Sequence, residues 1–344
     1  MSESGNDTDL GLIRAAANGL DPTSVVAAGL NRARRLIADA DTYIYAQSPF
    51  DRHARIGIPH GGVEVGQDLF LSFLGTQVMA WTAFELDQLR EIVASLQKVF
   101  ARIPMKLPQK VYLLKSTGRE EGAAAYTRHL DTIVLPVNMV SSLLAVPAGG
   151  DPLHPGRSSA YLAGIITHEF FHILSKNNPA WRKELYGILG FRPLPNSVVL
   201  PDDKLPSGLS MRDMKITNPD APLLNVAIDL MPTGSSQPVP MTPALVSSGP
   251  YVGGEFFDTL QWIFLEVEEE KGNWQVRRRD DKAVWHQSDD LMSQYLDKVG
   301  RNLSGELFHP DEVLAQSFVM AAHEPSLALL ERISEMIWPA RRNG

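Results

Sequence analysis

Five residues, His168-Glu169-Phe170-Phe171-His172, constrain this chain more than any other stretch of it. Two histidines four apart stand one above the other on a single face when the backbone is helical. Both imidazoles can then bind one metal ion, and Glu169 is placed to work on a water held by that metal. The flanking residues agree with a helix. Ser158 and Ser159 can cap its start, and Tyr161 to Thr167 lead into the five. Ile166, Phe170, Ile173 and Leu174 form an apolar stripe on the side away from the histidines. Asn177-Asn178-Pro179 ends the helix, because the pair favours turns and proline lacks an N–H. Such a helix would be buried, and an ionised glutamate buried without a partner is costly. That cost argues against two core histidines and a glutamate meeting by accident.

Two histidines do not complete a catalytic zinc site, which takes three protein ligands and keeps a fourth position open. Glu184, on the helical stretch Trp181-Arg182-Lys183-Glu184-Leu185-Tyr186, is the nearest carboxylate candidate. The stronger one is far downstream, in His309-Pro310-Asp311-Glu312-Val313-Leu314-Ala315-Gln316-Ser317-Phe318. Pro310 suits a first helical turn, and Asp311 suits the positive end of a helix. Val313, Leu314, Phe318 and Val319 supply apolar positions, so Glu312 projects from the first turn of a core helix. A glutamate favoured there by the helix dipole alone is the bland alternative.

HExxH is the arrangement of zinc-dependent hydrolases. HEFFH followed at long range by HPDEVLAQSF resembles the glutamate-type zincins, or gluzincins. More closely, it resembles a group of bacterial zincin-like proteins with a Thr-Asn-Pro-Asp-Ala-Pro segment between the two motifs and a late His-Pro-Glu-Glu-x-x-Ala-Asp-Asn-Phe helix. Here the middle element is Thr217-Asn218-Pro219-Asp220-Ala221-Pro222, and Gly300-Arg301-Asn302 also fits. The resemblance spans about Val111 to Ala321. It implies that His168, His172 and Glu312 bind Zn2+ and that Glu169 is the general base. The zincin branch with a third histidine six residues after the second is excluded, since that position is Asn178 and its glycine position is Ser175. One departure stands out. Gluzincins often carry an acidic residue four after the ligand glutamate, which orients a zinc histidine; here it is Gln316. An amide can accept an imidazole N–H but raises ligand basicity less than a carboxylate does.

Composition narrows the function classes. A net charge of −8 argues against nucleic acid as a partner. Arg277-Arg278-Arg279 is followed at once by Asp280-Asp281 and reads as a solvated turn. No segment reaches transmembrane length, so no membrane partner is expected. The start, MSESGNDTDLG, is polar and acidic, unlike a secretory signal, and a cytoplasmic location is the expectation. The absence of cysteine rules out disulfides and thiolate zinc ligands. With 344 residues, 44% of them hydrophobic, the chain can bury one large core or two smaller ones.

Organisation along the chain predicts an α+β, zincin-like fold in two parts. Residues 1–108 read as mainly helical, with helical spacing over Pro22 to Ala40 and Ala83 to Ile103; Leu86, Leu89, Ile92, Val93, Leu96 and Val99 make one apolar face. Residues 109–344 read as the metal-binding catalytic part: a short mixed sheet over the HExxH helix, then a helical C-terminal part. Val111 to Leu114 and Thr132 to Leu135 read as strands. From the resemblance, Thr132 to Pro136 is the expected edge strand bordering the substrate. Residues 192–250 hold 11 of the 24 prolines and are interrupted by apolar runs, so they read as long ordered loops and short strands. Phe264 to Glu268 and Trp274 to Val276 suggest a hairpin around Lys271-Gly272-Asn273.

Tyr251 and Tyr295 are candidate donors to a developing oxyanion, each set against a packed aromatic with a wet hydroxyl. His309 is expected to cap its helix. His53, His60, His129, His154, His286 and His323 lack ligand spacing, and no Gly-x-Ser-x-Gly elbow is present. The combined expectation is a zinc-dependent peptidase acting on peptide or protein substrates. The alternative is a zincin-like metal-binding or interaction protein that turns over peptides weakly or not at all.

Overall fold

The computed structural model describes residues 7–15, 23–100, 107–141, 159–255, 257–301 and 307–323. In chain order the helices are α1 (Leu30–Ile37), α2 (Thr42–Ala46), α3 (Pro49–Ile56), α4 (Gln67–Gln77), α5 (Ala83–Phe100), α6 (Val137–Ser141), α7 (Ser159–Asn177), α8 (Pro179–Ile188), α9 (Asp289–Val299) and α10 (Pro310–His323). Together with two larger sheets they make the chain α+β. It divides into two compact units. The first is Met1–Asp41, Asp68–Pro179 and Ser317–Gly344; the second is Thr42–Gln67 and Ala180–Gln316.

The first unit is built on a six-stranded mixed sheet. Its strands are β1 (Leu10–Ala15), β2 (Thr23–Ala27), β3 (Val78–Met79), β4 (Lys110–Ser116), β5 (Tyr126–Arg128) and β6 (Thr132–Pro136), in the order β1-β2-β4-β6-β5, with β3 beside β4. Strands β2, β4 and β6 run parallel, while β1 and β5 flank them antiparallel. Val111, Leu113 and Leu114 of β4 and Ile133, Val134 and Leu135 of β6 are all buried. A continuous apolar run of that kind is what a strand covered on both faces needs. The HExxH helix α7 packs on β5 and β6, as α5 packs on α7.

Two expectations change here. Thr132 to Pro136 is not an edge: β6 lies between β4 and β5, and the three-residue β5 is the outer strand. The short β5 leaves no sequence signal strong enough to mark it as a strand. The regular structure before Pro108 is mostly the helices α1 to α5, as expected, but the predicted helix over Pro22 to Ala40 begins as strand β2 and becomes helix only at Leu30. The β-branched pair Val25-Val26 pairs in parallel with Val111 and Tyr112, so the sheet runs across residue 108 rather than starting after it. Helix α5 does form, with Leu86, Leu89, Ile92, Val93 and Leu96 buried on one face. The Ser158 cap, Val99's side chain, His154 and Asn302 lie outside the described residues.

The second unit carries an antiparallel sheet. Its strands are β7 (Phe191–Pro193), β8 (Lys215–Ile216), β9 (Val226–Leu230), β10 (Val239–Ser247), β11 (Leu260–Glu270), β12 (Asn273–Val276), β13 (Arg278–Arg279), β14 (Lys282–Ala283) and β15 (Trp285–His286). The main path is β12-β11-β10-β9-β7; β8 adds to β10, β15 adds to β11, and β13 and β14 form a separate ribbon. The β11–β12 hairpin turns at Lys271 (φ 52°) and Gly272 (φ 86°), with Glu270 opposite Asn273. Two positive φ values in succession make this the two-residue turn whose twist matches the strands. The exposed β13–β14 ribbon turns at Asp280 and Asp281, in keeping with a solvated basic run. The proline-rich stretch is ordered, as expected: Leu194 and Val198 donate to the carbonyls of Asn225 and Leu224, and Leu200, Leu205, Met211 and Met214 enter the core of this unit.

Candidate metal centre

Helix α7 runs unbroken for 19 residues and carries His168, Glu169 and His172 near its middle. The two imidazole centroids are 4.9 Å apart. His172 and Glu169 are buried, and His168 is half-buried. The helix ends where Asn177 and Asn178 turn their amides back on it: the first donates to the Ile173 carbonyl at 2.8 Å, the second to that of Leu174 at 2.8 Å. These side-chain donors reinforce the last turn of α7, where a helix runs out of backbone donors for its carbonyls. Asn177 also donates to the Leu130 carbonyl, and Lys176 to Thr127 Oγ1 at 2.5 Å, tying α7 to β5 and the turn after it. Pro179 then opens α8.

Helix α10 opens at Pro310, the position where a missing N–H costs nothing. His309 caps it, since its Nδ1 accepts from the Asp311 backbone N–H at 3.1 Å and its carbonyl accepts from Glu312 and Val313. Asp311 in turn accepts from the Tyr186 hydroxyl at 2.8 Å. Burial, with Asp311 beside it, pushes that phenol well above its ordinary pKa, so it stays a donor. Glu312 follows, buried, with Oε1 accepting from Asn218 Nδ2 at 2.6 Å. Farther along the same helix, Phe318 meets Phe171 of α7 with centroids 5.5 Å apart, and Val319 lies 3.9 Å from the position a Cβ would take on Gly164. The glycine gives the second helix room to approach α7.

His168 and His172 each offer a ring nitrogen from α7, and Glu312 offers a carboxylate oxygen from the first turn of α10. Two imidazole nitrogens and one carboxylate oxygen, with no thiolate, are a donor set that suits zinc with an open position. Burial separates these groups from the exposed acidic clusters common on protein surfaces. Glu184, the alternative third ligand, is exposed on α8, whereas Glu312 is buried.

Other candidates find ordinary partners. The Tyr251 hydroxyl donates to the Gly254 carbonyl at 3.1 Å and that of Tyr295 to the Leu307 carbonyl at 2.5 Å, so neither is available to an oxyanion. His53 and His60 stack 4.0 Å apart, His129 bonds the Leu36 carbonyl, and His286 pairs with Glu266 at 2.9 Å. Asn218 and Asp220 carry no sequence signal beyond membership of the Thr217–Pro222 segment. Comparisons with protein-family models, with curated proteins and with solved structures give no match.

Proposed function

We propose that the chain is a zincin-like, zinc-dependent peptidase. His168, His172 and Glu312 would hold the ion, and Glu169 would be the general base. The observation that carries the reading is the pair His168 and His172 on one face of α7, with imidazole centroids 4.9 Å apart and buried Glu169 between them in the helix. When bound, zinc supplies Lewis acidity at a carbonyl oxygen and lowers the pKa of a water. Glu169 does the proton work. Its carboxylate takes a proton as the nucleophile forms, then gives it to the departing amine. Burial suits the task, since a carboxylate shielded from bulk water exchanges its proton with the reacting groups rather than with solvent.

A peptide substrate follows from the resemblance of the HExxH and late-helix motifs, a weaker ground than the donor set. The deciding experiment incubates the purified, zinc-loaded chain with a mixed peptide library and reads new termini by mass spectrometry. Cleavage in the wild type and none in Glu169→Gln supports the peptidase. Zinc bound without cleavage of any peptide would instead make the chain a zincin-like binding protein.

A further inference from the structure

Glu312 does not stand alone in its unit. Its Oε1 receives the Asn218 amide, whose Oδ1 accepts from the Asp220 backbone N–H at 2.9 Å. Those two bonds fix which end of the amide is which, because only the nitrogen can donate to a carboxylate and only the oxygen can accept an N–H. The residue before Asn218 is tied down on every polar atom. Thr217 N–H donates to Asp51 Oδ1 at 3.0 Å, Thr217 Oγ1 donates to Asp51 Oδ2 at 2.6 Å, and the Thr217 carbonyl accepts from Arg55 at 2.7 Å. Asp51 and Arg55 are themselves paired at 2.5 Å, one turn apart on α3, with side chains 0% and 1% exposed. The Ser48 cap closes the set: its N–H donates to Asp51 Oδ2, while its hydroxyl receives the Asp51 N–H.

We propose that Asn218 is a positioning residue for the zinc ligand Glu312, held in place by the Asp51–Arg55 clamp of α3 through Thr217. This rests on the zinc reading above. A glutamate side chain has three rotatable bonds, and fixing one oxygen with a short, charge-assisted hydrogen bond sets the direction of the other. The clamp makes that bond a stiff one: the backbone entering Asn218 cannot shift without breaking buried hydrogen bonds to a charged pair. Hydrogen bonds to ligand carboxylates of this kind change metal affinity by roughly 10–100-fold when removed.

The test compares zinc affinity of the full chain, wild type against Asn218→Ala and Asn218→Asp, by competition with a chromophoric chelator at pH 7.5. Apo-protein thermal melts run alongside. A carboxylate at 218 keeps the volume and the Oδ1 acceptor for the Asp220 N–H, but it replaces the donor facing Glu312 with a like charge. The expected ranking is wild type tightest, Asn218→Ala weaker by about tenfold or more, and Asn218→Asp weaker still, with the apo Asp variant folded. A purely structural turn residue gives the opposite ranking, with Asp near wild type and Ala impaired, and that result overturns the proposal. So does Asn218→Ala binding zinc within about twofold of wild type. If the wild type takes up no zinc, the metal reading itself has failed and the positioning role goes with it. If Asn218→Ala does not fold, the Asp variant decides: affinity near wild type overturns the role, and weakened affinity supports it.

Discussion

Glu169 and Glu120 are both buried glutamates, and their settings differ. Glu169 sits in a helix between two candidate ligands, and the proposed chemistry needs it ionised to accept a proton. Glu169→Gln keeps shape and burial but cannot take that proton. It should retain zinc and fold while losing hydrolysis by about 10²–10⁴-fold; unchanged turnover would place the chemistry elsewhere. Glu120 lies at the tight turn after β4, with Tyr126 Oη 3.4 Å from its Oε1. Burial is the main cause that raises its pKa, and hydrogen bonds from Ser116 and nearby backbone only partly offset it. The sign follows from linkage. The unfolded chain loses this proton at the ordinary glutamate pKa and the folded chain loses it later, so stability falls as pH rises from the first value to the second, then levels off. Urea melts across pH 4 to 8 should show that decline in the wild type and a shallower one in Glu120→Gln. Equal slopes in the two would refute the assignment.

Among the elements, α7 and α10 bear most on the site. Phe318 is fully buried against Phe171, on the same unbroken helix that carries Glu312. Phe318→Ala should destabilise the fold by about 3–5 kcal/mol in chemical denaturation, the usual cost of emptying a buried aromatic site. A loss under 1 kcal/mol would mean the contact is not packed as described. Helix α3 does a different job. Removing Arg55 leaves Asp51 buried without its charge partner, so Arg55→Ala should cost about 3–5 kcal/mol. Arg55→Ala should also loosen Thr217, which a metal-affinity measurement would detect as weaker zinc binding. Full stability in that variant would show the pair to be dispensable.

For the whole molecule, what the sequence discloses is what is local. The HExxH helix, its end at Asn177, the helix opened by Pro310 with its His309 cap, and the Lys271-Gly272 turn all depend on residues within a few positions of each other. Their spacing can therefore be read directly. The α+β class is legible for the same reason. Strand pairing is not: Val25-Val26 looks like part of a helical stretch until β4, more than 80 residues later, supplies its partner. The outer strand is hidden because β5 has three residues and no alternation to read. Asn218 meets Glu312 across 94 residues, and only packing brings an amide to that carboxylate.

The central claim is the zinc site of His168, His172 and Glu312, and metal content tests it most directly. The purified chain, dialysed against trace-metal-free buffer and analysed by plasma mass spectrometry, should hold about one zinc per molecule. His168→Ala, His172→Ala and Glu312→Ala should each lose most of it, while Glu184→Ala should keep it. Full zinc in the histidine variants, or loss in Glu184→Ala with retention in Glu312→Ala, would contradict the account.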